Sequence, residues 1–397
     1  MVKHKHTPDK CTTCTTCVAY CPVSAVTDKF RGPKMTGPAF ERFRLLDQVE
    51  DASLSYCSNC KNCDISCPNG VPVSTLNMLA RAEYAKTHKP SLSEWFVSHG
   101  EKISSLLWFI PAFLRNFGMH FPLTRYFLDL IKIDRRAPLP SFAATTFKVR
   151  FKKMGKGATS DKKVVFFPGC FVNIYKPQIG LDLVEILRLA DYEVIVPEGF
   201  ICCGLPLISN GFATEAEKHA LQNTKELAEW AEKGIPVLAV CPSCSLMLKQ
   251  EYKDLYPSVG EHKASNVVDA CEFIAELIET GAWKPEFKES SVSAIYHAPC
   301  HLRAQGMGKT GLDMARLIPG ADVNDADAGC CGISGSYGFK KEKYDIGMAI
   351  GEKLFETIKE SDAEHILTEC GTCQVQIQHG TGKEAMHPIS FLRKVLG

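Results

Sequence analysis

The sequence lacks any run of about 20 apolar residues, the length a bilayer-spanning helix requires, so no transmembrane helix is expected. It lacks an excess of either charge. Its 46 Lys and Arg against 45 Asp and Glu leave a net charge of +1, without the basic surplus of a typical nucleic-acid binder. No nucleic-acid partner is therefore expected. No apolar segment stands behind Met1–His6, so nothing reads as a secretory leader. No G-x-G-x-x-G followed by an acidic residue is present. Gly308-Lys309-Thr310 resembles the end of a phosphate-binding loop, but its first glycine would be at position 303, which is Arg303. No flavin fingerprint is visible either. The chain is expected to carry neither flavin nor NAD, and to have no primary dehydrogenase activity alone.

What is abundant is cysteine. There are 19, an odd number with no secretory context, which argues against a disulfide scaffold and for metal or redox chemistry. The first run is Cys11-Thr-Thr-Cys14-Thr-Thr-Cys17-Val-Ala-Tyr-Cys21-Pro22 and the second is Cys57-Ser-Asn-Cys60-Lys-Asn-Cys63-Asp-Ile-Ser-Cys67-Pro68. Both read C-x2-C-x2-C-x3-C-P. That spacing wraps three thiolates round one cubane [4Fe–4S] cluster and sends the fourth to the other cluster. Cys11, Cys14, Cys17 and Cys67 are assigned to one cubane, and Cys57, Cys60, Cys63 and Cys21 to the second. A pair of zinc sites is the alternative, but zinc closes with two paired knuckles and needs neither the third step nor the proline. Between the runs lie 35 residues, where Glu41 to Asp47 and their neighbours read as helix.

Ten further cysteines repeat. Cys170, Cys202-Cys203-Gly204 and Cys241-Pro-Ser-Cys244 recur as Cys300, Cys330-Cys331-Gly332 and Cys370-Gly-Thr-Cys373, displaced by 130, 128 and 129 residues. A near-constant offset at three landmarks marks an internal duplication. Cys271 stands outside the pattern in a helical, apolar setting and reads as an inert buried thiol. Short apolar strands run into the landmark cysteines at Val164–Cys170, Val237–Cys241 and Ile366–Cys370. Helical stretches such as Leu181–Ala190 and Glu215–Lys233 lie between. Alternating strand and helix predict a parallel sheet per copy, with ligands beyond the strands' carboxyl ends. Each pentad is expected at one edge of its own half-domain.

These motifs carry a resemblance. The N-terminal part resembles the helical ferredoxin domain of succinate dehydrogenase iron–sulfur subunits. The tandem C…CCG…CxxC pattern resembles the cysteine-rich (CCG) family, which includes heterodisulfide reductase catalytic subunits and the iron–sulfur subunits of lactate and glycolate oxidases. Within it the layout resembles the C subunits of anaerobic glycerol-3-phosphate dehydrogenases. Gly32-Pro-Lys34, Arg81-Ala82, Pro90-Ser-Leu92, Gly169–Asn173, Cys202–Ile208, Asn210-Gly-Phe212 and Tyr337–Glu342 carry that closer likeness. The implied fold class is α + α/β: a helical two-cluster ferredoxin-like domain (1–100), an amphipathic basic segment and linker (101–160), and two tandem cysteine-rich half-domains (161–285 and 286–397). The resemblance implies one or two further iron–sulfur clusters in the pentads, of non-cubane [4Fe–4S] type in heterodisulfide reductases, with a simpler cluster, zinc or nothing in one pentad as the alternative. It implies an electron-transfer subunit that receives electrons from a flavoprotein dehydrogenase and passes them to a menaquinone-type acceptor. An iron–sulfur component of a lactate or glycolate oxidase, or a disulfide reductase, is the alternative. His297 and His301 flank Cys300 and are candidates for hydrogen bonding to a thiolate or carrying quinone protons. His4, His6, His88 and His99 carry no such signal.

Residues 101–163 hold 13 Lys and Arg against 4 Asp and Glu, a net of +9, which leaves −8 for the rest. Ile103, Leu106, Leu107, Ile110, Leu114 and Phe117 recur at helical spacing, as do Leu123, Tyr126, Phe127, Leu130 and Ile131. The longest uncharged stretch of the segment, Ile103–Leu114, has 12 residues and is interrupted by Pro111. An apolar face flanked by Arg115, Arg125, Lys132, Arg135 and Arg136, with Trp108 and Tyr126 at headgroup level, suits a helix lying in an anionic membrane surface. Packing against the core or a partner protein is the alternative. The resemblance favours the membrane, with the protein peripheral or monotopic on the cytoplasmic face of a bacterial inner membrane. Arg135 to Ser160 reads as linker.

Overall fold

A computed structural model describes residues 6–44, 46, 50–155, 157–259, 266–288 and 291–397. The duplication appears as two four-stranded parallel sheets with one topology. In the first, β1 (Lys163–Phe167), β2 (Glu193–Ile195), β3 (Val237–Ala239) and β4 (Val267–Asp269) lie in the order β2-β1-β3-β4. In the second, β5 (Val292–Tyr296), β6 (Ala321–Asp325), β7 (His365–Leu367) and β8 (Ala385–Met386) lie in the order β6-β5-β7-β8. Val164 to Phe167 are all buried, as a parallel strand covered by helices on both faces demands. The helices Pro177–Leu189 and Ala213–Glu232 supply crossovers where the sequence expects them. One hydrophobic core joins the halves: Phe166, Leu183 and Leu238 of the first pack in the same cluster as Tyr296, Leu312 and Phe391 of the second. Cys271 lies in that core, 1% exposed, as an inert thiol should.

The strand order places the sites. In each sheet the chain runs outward in opposite directions on either side of β1, or of β5. The crevice at such a reversal, beyond the carboxyl ends, is where open α/β sheets bind ligands. Cys170 and Cys241 follow β1 and β3 and so flank that crevice in the first half. Cys300 and Cys370 follow β5 and β7 and flank it in the second.

The N-terminal part holds helices and turns, and no strand among its described residues. The helix Leu92–Ser98 opens with a capping box, in which Glu94 N–H donates to Ser91 Oγ (3.3 Å) and Ser91 N–H to the Glu94 carboxylate (2.8 Å). The helix expected over Glu41–Asp47 is shorter. It spans Phe40–Arg44 after a wound-out turn at Met35–Ala39, and Leu45 and Asp47 lie outside the described residues.

Two expectations for the middle segment are corrected. The supposed linker contains the helix Phe147–Lys153, whose Thr146 cap accepts from Val149 N–H. Phe147 is fully buried, and Gly180 leaves the room its ring needs, since a Cβ there would stand 2.6 Å from it. The prolines before it suggest a linker, but Phe147 and Phe151, one turn apart, anchor it to the core. Arg115 does not face outward. It is buried, donates to the Ala143 carbonyl (3.2 Å), and lies over the Trp108 and Phe142 rings. Arg125 is likewise turned to the carbonyls of Arg135 and Ala137, and Arg136 pairs with Asp134 and Asp345. Lys132 and Arg135 remain exposed. The apolar side chains do face outward: Phe109 is 80% exposed, Phe113 71%, Phe117 65% and Leu130 60%. Trp108 and Tyr126 are also exposed. The helices involved, Gly100–Leu106, Ala112–His120 and Pro122–Leu130, are short, and among the described residues no helix is long and apolar enough to cross a membrane.

Candidate functional site

The two C-x2-C-x2-C-x3-C runs fold alike. Thr13 and Thr15 take left-handed φ of 59° and 67°, and Asn59 and Lys61, at the matching places, take 52° and 66°. These unusual turns either side of the second cysteine curl each loop so that its sulfurs converge. Cys11, Cys14, Cys17 and Cys67 line one cavity of about 20 Å³. Cys21, Cys57, Cys60 and Cys63 line another of about 20 Å³. The structure thus brings together the two crossed sets that the spacing assigns. Val71 N–H donates to Cys67 Sγ (3.3 Å) and Ser24 N–H approaches Cys21 Sγ (3.5 Å).

The thiol chemistry fits a metal cluster. Burial, then the neighbouring Cys11, Cys14 and Cys67, push Cys17 up to about 11. Burial lifts Cys57, Cys60 and Cys63 above the usual thiol range. Four crowded thiols cannot all ionise against such burial without a multivalent cation among them. Cys14 alone in its set is exposed, and Thr16 hydrogen bonding draws it downward.

Each pentad gathers at its crevice. Cys170 lies in the helix Gly169–Ile174, Cys202 and Cys203 on the loop before Leu205, and Cys241 caps the helix that contains Cys244. His219 Nδ1 and Asn223 Nδ2 donate to the Cys202 carbonyl (3.0 and 3.2 Å), and the Tyr252 hydroxyl donates to that of Cys203 (2.9 Å). In the second copy Cys300 opens the helix Cys300–Arg303 and Cys370 caps the helix Gly371–Thr381. Cys331 and Cys373 Sγ are 3.1 Å apart, and Gly332 N–H donates to Cys330 Sγ (3.3 Å). The glycine of each C-C-G is a geometric need. Gly204 and Gly332 have φ of 82° and 83°, and a Cβ on Gly332 would stand 1.8 Å from the Gly347 carbonyl oxygen. Thiol donors from the flanking cysteines draw Cys203 and Cys331 down to about 6 in their respective copies.

The sites adjoin. Cys60 of the second ferredoxin-like set is near enough to Cys300 for each charge to oppose the other's ionisation. Arg303 donates to Cys300 Sγ (3.4 Å), and the negative charge of Cys300, Cys330 and Cys60 favours its charged form against burial. Buried Lys61 reaches from the same loop to Glu251 of the first half (2.7 Å). His301 Nε2 meets the Asn59 carbonyl (2.8 Å) and its Nδ1 meets Ser243 Oγ (2.9 Å), so it ties the second set to the helix that Cys241 caps. His297 is buried, and desolvation followed by the Arg303 charge pushes it down to about 3.

The first pentad opens into a cavity of about 290 Å³, whose apolar walls include Ile103, Met119 and Phe142 of the middle segment. Cys370 also lines it, and Phe171 packs where a Cβ on Gly371 would stand, 2.1 Å away. The two pentads are therefore neighbours across the half-domain boundary, not confined to separate edges. Sequence reasoning missed three polar groups here. His99, which carries no signal in the sequence, is buried at this cavity and meets Glu215 (3.0 Å). Glu101, raised by burial, accepts a hydrogen bond from the Cys202 backbone. Tyr175 is raised out of its usual range by burial. None of the three gave a signal in the sequence.

Known proteins agree with this architecture. The cysteine-rich domain family matches residues 164–249 and 294–378, and the 4Fe-4S dicluster domain family matches 7–71. The C subunit of anaerobic glycerol-3-phosphate dehydrogenase from Escherichia coli (strain K12) is 37% identical over 393 residues, 98% of each chain. The B subunit of fumarate reductase (CoM/CoB) from Methanothermobacter marburgensis is 26% identical, over 96% of this chain and 70% of its own. Lactate utilization protein A 1 of Bacillus anthracis is 27% identical over 201 residues, 48% of this chain and 80% of its own. With both cysteine-rich copies, the two-cluster motif and end-to-end likeness in place, the chain belongs to the family of anaerobic glycerol-3-phosphate dehydrogenase C subunits.

Proposed function

We propose that this chain is the iron–sulfur electron-transfer subunit of a glycerol 3-phosphate dehydrogenase, passing electrons from a flavoprotein partner to a menaquinone-type acceptor at the membrane. The observation that carries it is the continuity of the sites. Cys14 meets solvent, Cys60 approaches Cys300, and the first pentad opens on a cavity that shares walls with the exposed apolar segment. When bound, [4Fe–4S] groups would supply one-electron steps along that route.

The chain's own residues hold the sites and manage charge. The eight ferredoxin-like cysteines would ligate two cubanes in the crossed sets, and the pentads would ligate further clusters. Arg303 and the largely buried Arg81 side chain offset negative charge beside the second set and the second pentad. A quinone would sit in the cavity near Cys170 and Cys202, with its apolar tail toward Ile103 and Met119. Reduction to the quinol takes up two protons, and Glu101 and His99 line the same cavity as candidate carriers. The apolar face from Leu106 to Leu130 would lie in the headgroup region, peripheral on the cytoplasmic side.

The test is Cys202→Ser in the assembled complex. Quinone reduction should be lost, while dye-linked substrate oxidation by the partner persists. Loss of both would count against a relay role.

A further inference from the structure

The two pentads differ at one place that the cysteine pattern does not reveal. Three residues before the first cysteine, the first copy has Phe167 and the second has His297. Both sit at the carboxyl end of the central strand of their sheet. The Phe167 ring lies beside Gly169 and Cys244, packed against Phe200. His297 occupies the matching position, 2% exposed, and its Nε2 has no hydrogen-bond partner. A ligand atom of its ring and the sulfurs of Cys331 and Cys373 all lie within 4.8 Å of one another. A metal bound at about 2.0–2.1 Å to nitrogen and about 2.3 Å to sulfur spans nearly that distance, so a few tenths of an ångström bring all three to one centre. Burying an imidazole nitrogen unpaired is costly, and a metal bond removes the cost.

We propose that His297 is a metal ligand, so that the second pentad forms a mixed nitrogen–sulfur centre while the first is all-thiolate. This rests on reading the second pentad as a cluster site. The consequence is a division of labour. Bound in place of one of the five thiolates, a neutral imidazole leaves the centre less negatively charged than the all-thiolate one, which raises its reduction potential. The second centre, beside Cys60, would then differ in potential from the first, which opens on the cavity.

The experiment is pulsed electron paramagnetic resonance on the full, cluster-loaded chain, grown with ordinary and with 15N-labelled histidine. Cys331→Ser identifies which signal belongs to the second pentad. The expected result is a strongly coupled nitrogen on that signal, altered by the label and absent in His297→Phe, which copies the first pentad. His297→Cys should keep a cluster and lower its potential. The labelled natural chain decides the matter even if a variant fails to fold. A signal that depends on Cys331 but shows only weak nitrogen couplings overturns the ligand role and leaves the cluster reading standing. No iron signal that depends on Cys331 overturns the cluster reading of this pentad, and the ligand role with it.

Discussion

Replacing each C-C-G glycine by alanine should hurt the two copies unequally. Both glycines have left-handed φ, 82° at Gly204 and 83° at Gly332, so both substitutions bear the left-handed cost of about 1–2 kcal/mol. Their surroundings separate them. A methyl group on Gly204 would stand 3.3 Å from the Ala216 carbonyl oxygen, a contact that a small shift relieves. On Gly332 it would stand 1.8 Å from the Gly347 carbonyl oxygen and 2.8 Å from its carbon. That obstacle is backbone inside the helix Tyr344–Glu360 and cannot rotate away. Overpacking of this kind adds about 1–3 kcal/mol, so Gly332→Ala should cost about 2–5 kcal/mol and Gly204→Ala about 1–2. The assay pairs iron retained per chain after anaerobic purification with the denaturant midpoint. Gly332→Ala should shed iron and shift the midpoint by about twice the shift of Gly204→Ala or more. Equal effects, or a milder Gly332→Ala, would refute the steric argument.

Lys61→Met should destabilise by about 3–5 kcal/mol, because it leaves Glu251 buried without its partner at 2.7 Å; Lys61→Met with Glu251→Leu should recover most of that in chemical denaturation, and no recovery would refute the pairing. His387 is buried, with Nδ1 accepting from Ile389 N–H and Nε2 donating to the Val240 carbonyl. Burial lowers it from 6.5 to about 4, so the folded state binds fewer protons than the unfolded one, and stability present above pH 6.5 is lost as pH falls toward 4. The loss is about 3 kcal/mol at the bottom of that window, and His387→Gln should flatten that part of the stability profile; an unchanged slope would sink the assignment. Phe113→Glu with Phe127→Glu should cut binding to anionic vesicles about tenfold or more, since each ring contributes about 1.5–3 kcal/mol of apolar burial, with iron content unchanged; undiminished flotation would reassign the face.

The cysteine spacing made the centres legible because clusters impose fixed reach on their ligands. The crossed partners Cys21 and Cys67 sit in the cavities that the spacing assigns to them. The parallel sheets were legible for a similar reason, since apolar runs ending in Cys170 and Cys241 leave few other arrangements. What escaped depended on tertiary proximity. Nothing local marks His99, whose place at the cavity depends on Glu215 far away in sequence, and nothing marks Arg303 as the cation that serves both Cys300 and the sequence-distant Cys60. The basic segment misled because cations were counted without knowing their partners. Arg115, Arg125 and Arg136 spend their donors on the protein, while Phe117, Leu123, Tyr126, Phe127 and Leu130 between them face outward. The supposed linker misled because its prolines hid the Phe147–Phe151 anchor.

The most direct measurement is anaerobic electron paramagnetic resonance on the chain isolated from membranes with its co-purifying partners, before and after glycerol 3-phosphate, and separately after lactate. New reduced-cluster signals with glycerol 3-phosphate alone are the predicted result. Signals with lactate alone, or an iron-free and silent chain, would contradict the account.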